Sequence, residues 1–244
     1  GVQGACSEIR INGQSVSLDQ GHHLTVNDRI QLFNNTHGAI LYLAMTGGFT
    51  GTEVLGSTAT DITNGLGGLN GLPLASQDIL KGSKFNTPRQ TRSIPEGLLS
   101  RRCFSKNVTV HVIAGPEAYL FTKEVIDNFY SHAFVLSAEI SRVGYRLTGH
   151  PIHADSYNIP SKTVLPGTIQ IPPSGDPIIL MADGPVTGGY PRMGVVAKVD
   201  QPILAQLRSG GRVRFLACLP EEARLREANQ RQWIEELYHK KTER

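Results

Sequence analysis

The 244-residue sequence predicts a mostly β protein, and three observations carry that expectation. Glycine (26) and proline (14) are plentiful while aromatic residues make up only 7%, which favours many turns between short elements over a helical bundle. The apolar runs are short and end in turn residues. No regular strand-helix-strand alternation supports a doubly wound sheet, so barrels or sandwiches remain.

Taken in chain order, "SEIRING" ends at Asn12-Gly13, "HHLTVNDRIQLF" breaks at Asn27-Asp28, and "AILYLAMTGGF" ends in Gly47-Gly48. Such pairs supply the positive φ angles of tight hairpins. From Gly56 to Gly71 the pattern dissolves into Gly, Ser, Thr and Asn, the composition of an ordered but irregular surface loop. "VTVHVIAG" opens a second β region. Thr122 is placed to cap a short helix, "KEVIDNFY", whose Val125, Ile126, Phe129 and Tyr130 form one apolar stripe. "PIILMA", "MGVVAKV" and "RVRFLACL" read as further strands. Between the last two, a helical turn or two from Gln201 to Arg208 is capped by Asp200 and stopped by Gly210-Gly211. From Pro220 a charged surface helix is expected, started by Glu221 and Glu222, with Leu225, Ala228, Trp233, Ile234 and Leu237 roughly along one side.

Charge is mild, +3 from 24 basic and 21 acidic residues, so nothing in it calls for nucleic acid or a membrane as partner. No apolar stretch approaches about 18 residues and no secretory segment opens the chain, so a cytoplasmic protein is expected. Cys6, Cys103 and Cys218 share no metal-ligand spacing and read as reduced, mostly buried thiols. Cys103, between Arg102 and Phe104, has no recognisable base.

"TGGYPR" (187–192) raises the question of a phosphate loop. Such a loop needs a Gly-Lys-Ser or Gly-Lys-Thr ending and a helix after it, and here a strand follows with no lysine. "GLGGLNG" (65–71) fails for the same reason. His150, His153 and Asp155 lie close in sequence, yet no matched further cluster suggests a metal, and none is expected. No GxSxG elbow marks a serine nucleophile, and no catalytic residue is assigned. The arginines carry more. Arg142 and Arg146 flank Gly144-Tyr145, and Arg192 closes the glycine turn; their guanidinium forks either hold a small anionic substrate or pair with local acids. Gln170, between two isoleucines and ahead of Pro172-Pro173, either faces solvent or presents an amide to a ligand.

Four stretches, "GTIQIPPSGDPIILMADGPVTGGYPRMGVV", "AQLRSGGRVRF", "SRVGYRLTG" and "LYLAMTGGFTGTEVLGSTATD", together resemble the family known as allophanate hydrolase subunit 2, KipA-like or biotin-dependent carboxyltransferase domain proteins. The resemblance spans nearly everything before the last helix. It implies two tandem cyclophilin-like β-barrel domains, 1–119 and 120–219, followed by a C-terminal helix, 220–244. It implies the C component of a three-component 5-oxoprolinase, which with a KipI-like partner and a LamB/YcsF-like subunit opens 5-oxoproline to glutamate at the expense of ATP, a nucleotide not necessarily bound by this chain. Other members are the carboxyltransferase component that moves carboxyl from carboxybiotin to urea or a related amide, with biotin on another chain. A third implied role is a non-enzymatic KipA-like protein that binds and antagonises a KipI-like kinase inhibitor.

By matching motif, the resemblance places substrate contacts at Arg142, Tyr145, Arg146, Gln170, Thr187, Gly188, Gly189 and Tyr190. Gly167, Pro172, Pro173 and Pro191 would shape the pocket. The glycines would bring backbone close to the ligand, and a side chain added at Gly189 is expected to occlude that space. The sequence departs from the family pattern at Ile140-Ser141-Arg142-Val143-Gly144, where Ser-Asp-Arg-Met-Gly is usual, at Ala59 in place of serine, and at Lys162 in place of an acid. The family's N-terminal Gln-Asp-Leu-Gly-Arg type motif is not matched, so either the first barrel is abbreviated at that side, with an exposed edge, or the sequence is a piece of a longer chain.

Overall fold

Asn12 and Gly13 take φ of 53° and 83° and turn β2 (Cys6–Ile11) into β3 (Gln14–Val16), with Ile11 opposite Gln14. This is the two-residue hairpin that the Asn-Gly pair demands. The computed structural model describes residues 1–18, 20–34, 38–83 and 105–239. Cys103 therefore lies outside the described residues. The chain divides into two compact units, one of Gly1–Asn35 and Leu41–Arg102, the other of Thr36–Ile40 and Cys103–Arg244.

In the first unit β2 also pairs with β4 (Ile30–Asn34), and β1 (Val2–Gly4) pairs with β5 (Leu41–Leu43). Val2, Cys6 and Ile9 form its small core. The glycine-rich stretch is ordered by short bridges, Thr52 to Gly68 and Asp61 to Leu66. Gly67, at φ +70°, has no room for a Cβ, which would strike the Ala59 carbonyl. Among its described residues this unit holds two small sheets, so the tandem-barrel expectation is met only in part.

The second unit is built on a closed seven-stranded barrel: β6 (Asn107–Ala114), β7 (Ala133–Ile140), β8 (Gly144–Thr148), β10 (Thr168–Gln170), β11 (Ile178–Leu180), β13 (Arg192–Val196) and β14 (Arg212–Ala217). Neighbours run β10-β11-β8-β7-β14-β6-β13, and β13 closes on β10. Among the described strands only β6 and β14 pair in parallel. β6 lies ahead of residue 120 and is a stave of this barrel all the same.

Alternation fills the interior. Val108, Val110 and Val112 of β6, Phe134 and Leu136 of β7, and Val213 and Phe215 of β14 point inward. Helix α1 (Lys123–Ser131) plugs one side, capped by the Thr122 side chain, and its Phe129 stacks on Phe215 at 4.5 Å between ring centroids. Helix α2 (Gln201–Ala205) is shorter than predicted, and Asp200 does not cap it. The Asp200 carboxylate instead accepts from the His111 backbone N–H at 2.8 Å and meets His111 Nδ1 at 2.7 Å. Buried in the fold, it is committed to two donors on β6 that sequence proximity could not reveal.

Helix α3 (Pro220–His239) begins where predicted. Its inward residues are Ala223, packed with Ala197 and Cys218, then Glu227, which takes a 3.0 Å bond from Lys198. On the predicted apolar side, Leu225 and Ile234 are exposed. Among the described residues no helix is long and apolar enough to cross a membrane.

Candidate functional site

Strand β8 separates residues that the sequence groups together. Tyr145 and Leu147 face the barrel core, while Arg146 between them faces out. Tyr145 is thus a core side chain and not a pocket wall; burial pushes its phenol pKa up, and its hydroxyl lies 3.5 Å from the Ala205 carbonyl. Arg146 donates from Nε to Glu139 at 2.7 Å, both lining a shallow depression of 270 Å³ with Ser141 and Ile178. Arg142, in the turn between β7 and β8, forks onto Asp183, with NH2 at 2.9 Å from Oδ1. Of the two readings open for these arginines, the structure displays pairing with local acids.

A different set converges at the other predicted motif. Strands β9 (Lys162–Thr163) and β12 (Thr187–Gly188) form a two-stranded ribbon outside the barrel ladder, with Gly188 opposite Lys162 and Thr187 opposite Thr163. Beneath it runs β10. Ile169 points into the core, so Gln170 points the other way, and yet it is only 5% exposed because the ribbon covers it. Simple alternation into solvent is ruled out.

Gln170 Nε2 has no hydrogen-bond partner among the described residues. An unmade bond at a buried donor costs about 1–3 kcal/mol. The amide occupies the space a side chain at residue 188 would need: a Cβ on Gly188 would collide with Nε2. Gly189 has open space around its Cβ position and no positive φ, so the predicted steric demand belongs to Gly188 instead. Thr187 and Tyr190 are exposed beside it.

The residues expected to shape the pocket hold strand junctions. Gly167, at φ +90°, is pressed against Gln201 and exchanges backbone bonds with Leu180 and Val196. Pro191 is buried and its carbonyl accepts from Ile171; buried Pro172 closes a turn by accepting from Gly175, and Pro173 is exposed.

Glu117, unassigned by the sequence, completes the site. It lies just ahead of a 3-10 turn, Ala118–Leu120, and is fully buried. Arg192 forks onto it from Nε at 2.6 Å and NH2 at 2.7 Å, and Lys162 Nζ reaches it at 3.1 Å. Arg192 NH1 also donates to the Thr163 carbonyl at 2.8 Å, tying β13 to the ribbon. The Arg192 bonds, with help from Lys162, hold the Glu117 carboxyl down at about 2 against the desolvation that opposes them. Glu117 in turn raises the Arg192 pKa.

A family model for the carboxyltransferase domain, subdomain A and B, matches residues 1–217. The chain belongs to that family. Among relatives of this carboxyltransferase-domain chain, the 5-oxoprolinase C component of Escherichia coli (strain K12) is 32% identical over 238 residues, covering 97% of this chain and 74% of that protein. Its Haemophilus influenzae counterpart, also named as a 5-oxoprolinase C component, is 29% identical, covering 94% and 72%. The crystal structure of the K. lactis urea amidolyase superposes with a TM-score of 0.87 at 24% identity over 97% of this chain and 15% of that one, a likeness of fold.

In this carboxyltransferase domain the two histidines have different neighbours: the His150 ring lies tilted against His132 at 4.0 Å between centroids, and the His153 ring lies against Gly175. Among the described residues no three His, Cys, Asp or Glu side chains gather as a metal requires. The 187–192 turn does not fit a nucleotide's phosphates either. It enters a strand and not a helix, so it lacks the helix N-terminus such a site uses.

Proposed function

We propose that this chain is the C component of an ATP-dependent 5-oxoprolinase, working with a KipI-like partner and a LamB/YcsF-like subunit in a complex whose ATP is not necessarily bound by this chain. The observation that carries the reading is Gln170: a buried amide donor with no partner among the described residues, under a glycine that leaves it room. A cyclic amide such as 5-oxoproline offers the carbonyl acceptor that this N–H requires. Support also comes from relatives named as 5-oxoprolinase components along most of this chain.

The same donor fits the carbonyl of a ureido ring or of urea. A second reading, carboxyl transfer from biotin carried on another chain, draws on the family and on relatives named urea amidolyase, which are 25% and 24% identical.

The test is reconstitution with the cognate subunits and measurement of 5-oxoproline-dependent ADP release. Gln170→Met, which keeps the volume and removes the donor, is expected to lower turnover at least about tenfold while leaving the fold as stable or more so, since an orphan donor is gone. Release that proceeds without this chain would sink the reading, and urea-dependent turnover of carboxybiotin would replace it with the second. Binding of the KipI-like protein without any turnover would point to the regulatory role.

A further inference from the structure

Arg142 and Arg146, the cations singled out for a substrate carboxylate, are paired with Asp183 and Glu139. The cluster under the ribbon is balanced differently. Lys162 and Arg192 share one buried carboxylate, Glu117, so three bonded charges sum to a surplus of one positive. The other partner of Arg192, the Thr163 carbonyl, is neutral.

Position strengthens the point. Directly opposed residues of an antiparallel pair send their side chains to the same face. Gly188 faces Lys162, and the Cβ direction of Gly188 runs into Gln170 Nε2. Lys162 therefore projects toward the face where the orphan amide lies, while Thr187 and Thr163 take the outer face. The Lys162 side chain keeps 46% of its surface open, whereas Arg192 keeps 14% and Glu117 1%. An ammonium with three donors, one of them on Glu117, stands at the open side of a positively unbalanced site.

We infer that Lys162 is a specificity-determining residue that takes the carboxylate of a small organic acid at the Glu117–Arg192–Gln170 cluster. Built on the 5-oxoprolinase reading, this assigns the substrate's carboxylate to Lys162 and its lactam carbonyl to Gln170, with Glu117 and Arg192 as positioning residues beneath. A lactam without the carboxylate satisfies only Gln170.

The experiment compares 5-oxoproline with 2-pyrrolidinone, its uncharged counterpart, by calorimetry on the assembled complex, with propionate as a bare carboxylate probe. Wild type should prefer 5-oxoproline. Lys162→Met should weaken 5-oxoproline at least tenfold and abolish the propionate signal while leaving 2-pyrrolidinone affinity within twofold, and Lys162→Arg should restore part of the preference. Gln170→Met should do the reverse, weakening 2-pyrrolidinone and sparing propionate. Equal 5-oxoproline affinity in wild type and Lys162→Met overturns the assignment, as does failure of wild type to bind either carboxylate. Lys162-dependent carboxylate binding in a complex that releases no ADP supports the anion site while sinking the oxoprolinase reading. Turnover indifferent to Lys162 does the opposite.

Discussion

Replacing Arg192 with methionine tests whether the buried ion cluster holds the ribbon on the barrel. Glu117 is wholly buried and receives two of its three charged hydrogen bonds from this guanidinium. Its carboxyl sits at about 2 in the fold against an ordinary 4.5. At 1.36 kcal/mol per pH unit, that depression is worth about 3 kcal/mol to the folded state, with Arg192 as its largest cause. Because the folded value is the lower one, the stabilisation is fully present above pH 4.5 and is lost as pH falls through about 2. Urea unfolding at neutral pH should therefore find Arg192→Met less stable by about 3 kcal/mol, in the range seen when one member of a buried pair is removed. The gap should narrow steadily as acid protonates the carboxylate in both proteins. A deficit below about 1 kcal/mol at neutral pH, or one that stays constant down to about pH 2, would refute the argument.

Four further outcomes follow from the same geometry. Gly188→Ala should disturb Gln170 and lower activity in the reconstituted complex at least about tenfold, while Gly189→Ala, with open space at its Cβ, should leave activity within twofold; equal effects would show that the glycine pair is not read through Gln170. Arg146→Lys, at an exposed pair with Glu139, should cost under about 1 kcal/mol in thermal unfolding, and a loss of carboxylate affinity exceeding that of Lys162→Met would return the anion to the arginines. Tyr145→Phe should cost about 1 kcal/mol or less, since its hydroxyl contact is 3.5 Å long, and should not alter ligand titrations. Asp200→Ala, which strips the His111 backbone N–H of its buried acceptor, should cost about 1–3 kcal/mol in urea unfolding, and a neutral result would mean that the bond is replaced by water.

Much of the fold was legible because it is written in local chemistry. Asn12-Gly13 can hardly do anything but turn, and Thr122 ahead of an apolar 3–4 spacing caps the helix it announces. The strands of the second unit follow short apolar runs, and their alternation is visible in "RVRFLACL" as Val213 and Phe215. Asp200 shows where such reading stops. Its sequence neighbours offered a helix to cap, but His111 lies 89 positions earlier and wins the carboxylate through barrel closure.

The candidate site divides along the same line. Gln170 was conspicuous as a polar residue between isoleucines, and the alternative that turns it to solvent fails because a ribbon whose second strand lies 17 residues further on comes back over it. Tyr145 and Arg146 looked like one pocket because they are adjacent, although adjacency on a strand is what sends them to opposite faces. Glu117 gave no local signal at all: "GPEAYL" is an ordinary turn, and its meaning arises only when β9 and β13 deliver Lys162 and Arg192 to it from 45 and 75 positions away. A buried acid is tolerated only with such partners, so an unexplained carboxylate next to an apolar stretch is itself a reason to look for distant cations. Here that search yields one cation more than the acid can neutralise, on the face of the ribbon where a donor finds no acceptor among the described residues, and the proposed ligand, carrying a carbonyl and a carboxylate, would answer both.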